Sequence, residues 1–267
     1  MSDLLLVKGC NVTPDDLHRS KSGFTLIELS IVLVIIGLIS AGILVGQDLI
    51  RASKLRKVIT DVQTYHTAVN AFRNKYGGIP GDISDATAFF PDAVDGNDDG
   101  YVGTGNLMTD LEPYQAWYQL GEAKMIPGTY SGQRENRYYL FGVNAPESGI
   151  TGTQGMAGYT FAYIDEFDLI YAYQNNVTTL GWAGGNGNTP SGGGSALTGR
   201  DAQFIDGKID DGRMTTGRVL GENGHDNDTE YLGCAEGNAS IATYDPAAPF
   251  DYDLQTDKIA CTMYFMY

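Results

Sequence analysis

From Phe24 to Val45 the chain carries one charged residue, Glu28, and no proline. At about 1.5 Å of rise per residue this stretch makes ~33 Å of helix, enough to cross a bilayer core, and it reads as a membrane segment. Its left edge is abrupt: the basic, polar stretch Arg19-Ser-Lys-Ser-Gly23 meets the apolar run directly. No small-residue cleavage site follows near Val45, where a secretory signal would place one. Glu28 lies inside the run, where a bare carboxylate costs on the order of 2.5 to 3.5 kcal/mol, so its presence asks for a partner.

The helix is expected to continue well past the membrane. Gly42 and Gly46 stand four apart beside Ser40 and Ala41, small residues that let helices approach closely. Beyond them Leu55, Val58, Val62, Tyr65, Val69, Phe72 and Tyr76 recur at spacings of three and four, an apolar stripe on one helix face. A continuous helix from Phe24 to Tyr76 would be ~80 Å long. A sheet packing on the stripe is its expected use, and a coiled coil is the other. Gly77-Gly-Ile-Pro-Gly-Asp82 then ends the helix, with glycine for a left-handed cap and proline just after it.

Charge and cysteine usage narrow the function classes. Formal net charge is -16, and from Gly77 onward 8 Lys and Arg face 27 Asp and Glu. Such a head repels nucleic-acid phosphates and suits cation binding or solubility outside the cell. Cys10 lies in the N-terminal leader, whereas Cys234 and Cys261 lie beyond the membrane run, where an oxidising compartment would pair them. Closing that loop is worth roughly 3 to 4 kcal/mol in the chain-entropy model. The only histidines are His18, His66 and His225, too few and too scattered for a nucleophile-base pair or a multi-histidine zinc site. Carboxylate pairs such as Asp165 and Asp168 arise by chance in so acidic a head, so no enzymatic activity is expected.

Gly23-Phe-Thr-Leu-Ile-Glu-Leu29 resembles the prepilin peptidase site of type IV pilins and type II secretion pseudopilins. The resemblance implies cleavage between Gly23 and Phe24 on the cytoplasmic side, methylation of the new Phe24 amine, and use of Phe24, Thr25 and Glu28 in assembly. It also implies a partner for Glu28, the N-terminal amine of a neighbouring subunit, with charge neutralisation in low dielectric setting axial register. The implied partners are prepilin peptidase, the inner membrane, assembly-platform proteins, and further copies or other pilins in a filament. The implied location is the bacterial inner membrane as a single-pass protein, then a periplasmic or extracellular filament. Arg51, Lys54, Arg56 and Lys57 on the far side of the run oppose this orientation by the positive-inside count, and the cleavage motif overrules them. Many pilins carry proline near the end of the run, where this chain has Val45 and Gly46.

In the head, Asp95, Asn97, Asp99, Gly100 and Val102 match the first part of a calcium loop, with the Tyr101 carbonyl as a further ligand. The last position is Asn106 rather than a bidentate glutamate, so a remote carboxylate such as Asp92, Asp110 or Glu112 would complete the shell. The other reading is an acidic surface turn rich in Asx residues. Pro80-Gly-Asp82, this loop and the helix signal from Glu112 to Lys124, with Trp117 inside it, together resemble a subgroup of larger pilin-like proteins. Asp206, Asp210 and Asp211 form a second acidic turn that suits a cation or capping equally, and His225 to Glu230 reads as solvated surface.

Strands are expected at 138–143, 159–164, 169–173 and 258–267, with a hairpin turning at 165–168, and 181–199 is expected to be a surface loop. The fold class is α+β and pilin-like: a long N-terminal helix packed on an antiparallel sheet. Its parts are a removable leader, 1–23, a membrane and filament-core helix, 24–51, an amphipathic continuation, 52–76, and a globular head, 77–267. The functional expectation is a structural prepilin of a pilus-like filament or secretion pseudopilus. The alternative is a membrane-anchored adhesin or glycan-binding module that does not polymerise.

Overall fold

The computed structural model describes residues 23–103, 111–134, 139–152, 155–164, 175–181, 194–224, 233–236 and 250–266. Its first element is the 51-residue helix α1, Leu26–Tyr76, which contains no proline to interrupt its ladder. The chain divides into two compact units, Met1–Leu49 and Ile50–Tyr267. In the first, the apolar side chains of α1 are exposed, with Leu26, Ile27, Leu38 and Leu44 all more than half accessible. A helix apolar all round and uncovered needs lipid or other helices around it.

The second unit is built on the stripe. Leu55, Val58, Val62, Tyr65, Ala68, Val69 and Phe72 of α1 are buried, the positions that a 3.6-residue period places on one face. Its remaining elements are α2 (Ala86–Phe89), α3 (Glu112–Glu122), β1 (Glu147–Gly152), β2 (Gly155–Ile164), β3 (Asn175–Gly181), α4 (Gly199–Ile209), β4 (Val219–Asn223) and β5 (Cys261–Met266). The strands form one antiparallel sheet in the order β1-β2-β3-β5-β4. Where stripe, α3 and sheet meet, Trp117 of α3 sits 4.2 Å from Phe161 of β2 and 5.0 Å from Tyr65 of α1, ring centre to ring centre. Tyr65 in turn meets Tyr159 of β2 edge-on at 5.0 Å. Such offset aromatic contacts contribute about 0.5 to 1.5 kcal/mol each beyond their area.

The expected α+β architecture is the one observed, with differences in detail. Of the predicted strand at 138–143, the described residues form a turn through Gly142 and an isolated bridge between Phe141 and Ala145, because the Leu140 backbone N–H is taken by the Asn144 side chain at 2.7 Å. Positions 169–173 and the turn at 165–168 lie outside the described residues. The end of the presumed surface loop, Ser195 to Gly199, is buried, since Ala196 and Leu197 donate to the Cys261 carbonyl.

Gly77 and Gly81 mark where the chain leaves α1. Gly77 has φ +87° and its N–H returns to the Arg73 carbonyl at 2.9 Å, a left-handed cap. Gly81 has φ +92°, and a Cβ there would lie 2.4 Å from the Glu112 carbonyl oxygen, so only glycine lets the turn seat against α3. The Gly81 N–H donates to Gln119 Oε1 at 2.7 Å, fixing that seat.

Candidate functional site

The residues expected to form the processing site stand at the start of α1. Gly23, Phe24 and Thr25 precede the helix, and Phe24 is 85% exposed. The Gly23–Phe24 bond therefore lies outside the helical ladder. Thr25 is the N-cap. Its N–H and hydroxyl both donate to Glu28 Oε2 at 2.8 Å, and the Glu28 N–H reaches back to Thr25 Oγ1 at 3.3 Å. This is a capping box, two orphan donors satisfied reciprocally by a Thr-x-x-Glu spacing. The sequence reading demanded a partner for Glu28 but passed over the local one, although the spacing announces it.

In the head, the acidic loop is organised by two carboxylates that lie outside its calcium-like pattern. Asp82, just after Gly81 and buried, accepts the Asp99 N–H at 3.1 Å and the Gly100 N–H at 3.0 Å. Glu112, in the first turn of α3 and also buried, accepts the Asn97 N–H at 3.2 Å and the Gly103 N–H at 2.9 Å. Burial pushes the Asp82 carboxyl above its ordinary range, opposed by the Gly100 N–H and reinforced by the charges of Asp99 and Asp98. Asp82 entered the sequence reading only as part of a turn, and nothing local distinguishes it from the exposed aspartates nearby.

The predicted calcium ligands are placed as follows. Asp95 turns away to Thr87, accepting its N–H at 2.8 Å and its hydroxyl at 3.2 Å. Asn97 Oδ1 accepts the Asp99 N–H, while Asp99 accepts from the Tyr101 N–H and from Asn97 Nδ2, each at 2.9 Å. Every side-chain oxygen of the pattern thus takes a protein donor, and Asp95, Asp99 and Glu112 do not gather. Among the described residues the acids that do gather are Asp206, Asp210 and Asp211, with ligand oxygens within 4.8 Å of one another. These also take protein donors: Tyr252 and Gly212 on Asp206, Arg218 and Val219 on Asp210, Arg213 and Thr216 on Asp211. Asn106, Asp110 and residues 225–230 lie outside the described residues.

Cys234 and Cys261 form a disulfide with Cα atoms 4.9 Å apart. Asn223 opposes Cys261 across β4 and β5, and its side-chain oxygen accepts the Cys234 and Ala235 N–H groups, which holds the two cysteines side by side. Arg51 of α1 grips α4 in a similar local way, donating to both Asp201 carboxylate oxygens at 2.8 and 2.9 Å and to the Thr198 hydroxyl at 3.0 Å.

The family described as the prokaryotic N-terminal methylation motif matches residues 18–44, a span that contains Gly23, Phe24, Thr25 and Glu28. This motif is the signature of type IV pilins and pseudopilins, proteins processed by prepilin peptidase. No curated protein and no solved structure matches the chain.

Proposed function

We propose that this chain, which carries the prepilin-type methylation motif, is a non-enzymatic structural subunit, cut between Gly23 and Phe24 and polymerised through α1 into a pilus-like filament or secretion pseudopilus. The observation that carries the reading is the first half of α1: none of its apolar window is buried, and its one charge before Asp48 is Glu28, next to the motif's cleavage site. Lipid covers such a helix before assembly, and other copies of the helix cover it afterwards. The capping box involves only Thr25 and Glu28, so removal of the leader leaves it intact. A Glu28 oxygen that already accepts from Thr25 keeps lone pairs for a neighbour's Phe24 amine.

One substitution separates a register contact from a tolerated charge. Glu28→Leu removes a cost of a few kcal/mol in lipid, so insertion is retained, and mass spectrometry should find the N-terminus at Phe24. Filaments counted by electron microscopy should nevertheless be lost when this variant is the only copy. Normal filament yield would remove Glu28 from the mechanism, and a mature N-terminus elsewhere would remove the prepilin reading.

Calcium at the acidic loop is proposed only in a rearranged form, in which Asp95 leaves Thr87 to join Asn97, Asp99 and the Tyr101 carbonyl, with Glu112 turned toward them. Calorimetry on the full chain decides it. Chelator-sensitive heat and a calcium-dependent rise in Tm support the rearrangement, and the absence of both leaves the loop held by its protein hydrogen bonds, those to Asp82 and Glu112 among them.

A further inference from the structure

In chain order the apolar run of α1 gives way at Gln47 and Asp48, and after Leu49 and Ile50 four cations follow within two helical turns: Arg51, Lys54, Arg56 and Lys57. Two of them are engaged within the protein, Arg51 with Asp201 and Lys57 with Asp61. Lys54 and Arg56 are exposed and make no ion pair with any described residue. They stand in a protein whose chain from Gly77 onward holds 27 acids against 8 bases, a head with every electrostatic reason to find its own bases. A negatively charged head is also repelled by an anionic bilayer, so cations that pair with none of the described acids, at the point where the chain meets the bilayer, suit an anionic ligand there.

We infer that Lys54 and Arg56 bind the phosphate headgroups of anionic phospholipid at the face where α1 leaves the membrane, and so hold the unassembled subunit at a fixed depth. The inference rests on the reading that the apolar run lies in lipid. A residue following such a run sits at headgroup level, where long basic side chains reach phosphate while their stems stay on apolar surface. Attraction of a juxtamembrane cation to anionic lipid falls off within a Debye length, about 8 Å at physiological ionic strength. Lys54 and Arg56 lie ~11 and ~14 Å along the axis beyond Gln47, and only their long side chains, reaching back toward the bilayer, bring the charges near that limit, whereas Arg73 and Lys75 lie ~40 Å away.

The test uses the full chain reconstituted in vesicles of mixed phosphatidylcholine and phosphatidylglycerol, then extracted in mild detergent, with co-purifying phospholipid quantified by class. The wild-type chain should retain phosphatidylglycerol enriched roughly tenfold over its bulk ratio, an enrichment lost at high salt. Lys54→Gln/Arg56→Gln should retain the two lipids at their bulk ratio while keeping the Cys234–Cys261 disulfide and the wild-type Tm, since neither side chain makes an ion pair with any described residue. Wild-type retention at the bulk ratio, or equal enrichment in the variant, overturns the inference. Release of the wild-type chain from the vesicles by alkaline carbonate is a separate outcome, which removes the membrane reading and this inference with it.

Discussion

Asp206 shows what one buried carboxylate does to the response of the whole head. It lies in α4, fully buried, and its carboxyl is pushed up from 3.8 to about 6 by burial, against the opposing hydrogen bonds from Tyr252 and Gly212 and with added repulsion from Asp211 and Asp210. The folded state therefore holds this proton up to pH about 6, whereas the unfolded chain releases it near 3.8. Raising the pH from 4 to 6 ionises the group where ionisation is costly, so stability falls through that window. His66 acts in the opposite sense. Burial and the Arg218 charge lower its pKa from 6.5 to about 4, so its contribution grows as pH rises from 4 to 6.5. The wild-type pH curve blends the two, and subtracting a variant separates them. In Asp206→Asn the amide can accept from Gly212 and donate to the Tyr252 oxygen. Its Tm relative to wild type should climb between pH 4 and 6 and stay flat below 4. A difference constant across the range would show that Asp206 does not titrate there.

At the scale of elements, legibility followed period and local chemistry. α1, α3, β2 and β5 were readable because each carries a run of the right period or aromatic content over enough residues to be distinctive. β1, Glu147–Gly152, and β4, Val219–Asn223, were not, since glycine, serine, asparagine and glutamate dominate them and their strand geometry comes from neighbours rather than propensity. α4 was hidden for a related reason: its acids read as a surface turn, although Asp206 is inside and hydrogen-bonded to Tyr252 at 2.9 Å. The disulfide was legible from compartment logic, but the device that positions it, the Asn223 side chain, carried no local signal. Cys234→Ser should lower head stability by roughly 3 kcal/mol, read as an earlier unfolding midpoint in denaturant. An unchanged midpoint would mean that Asn223 and the strand ladder alone hold that segment.

For the molecule as a whole, the boundary that matters is Ile50 rather than Gly77. The stripe from Leu55 to Phe72 belongs to the same compact unit as the sheet, and Val58 and Phe72 are completely buried. A fragment beginning at Ile50 should fold cooperatively and stay soluble, helped by its negative charge. A fragment beginning at Gly77 loses one wall of its core and should lack a cooperative melting transition by circular dichroism; a sharp transition in it would show that the sheet and α3 make a core without α1.

The sheet order β1-β2-β3-β5-β4 also bears on how the subunit is made. β3 and β4 are synthesised first, yet neither touches the other until the last strand, Cys261–Met266, is slotted between them. A chain synthesised from its N-terminus thus has α1 made while its sheet is still in two unjoined parts. Only delivery of β5 closes the gap and brings Cys261 beside Cys234. Products of synthesis interrupted before β5 would carry α1 with an unjoined sheet, and the covalent link between the cysteines marks the chains in which β5 has arrived.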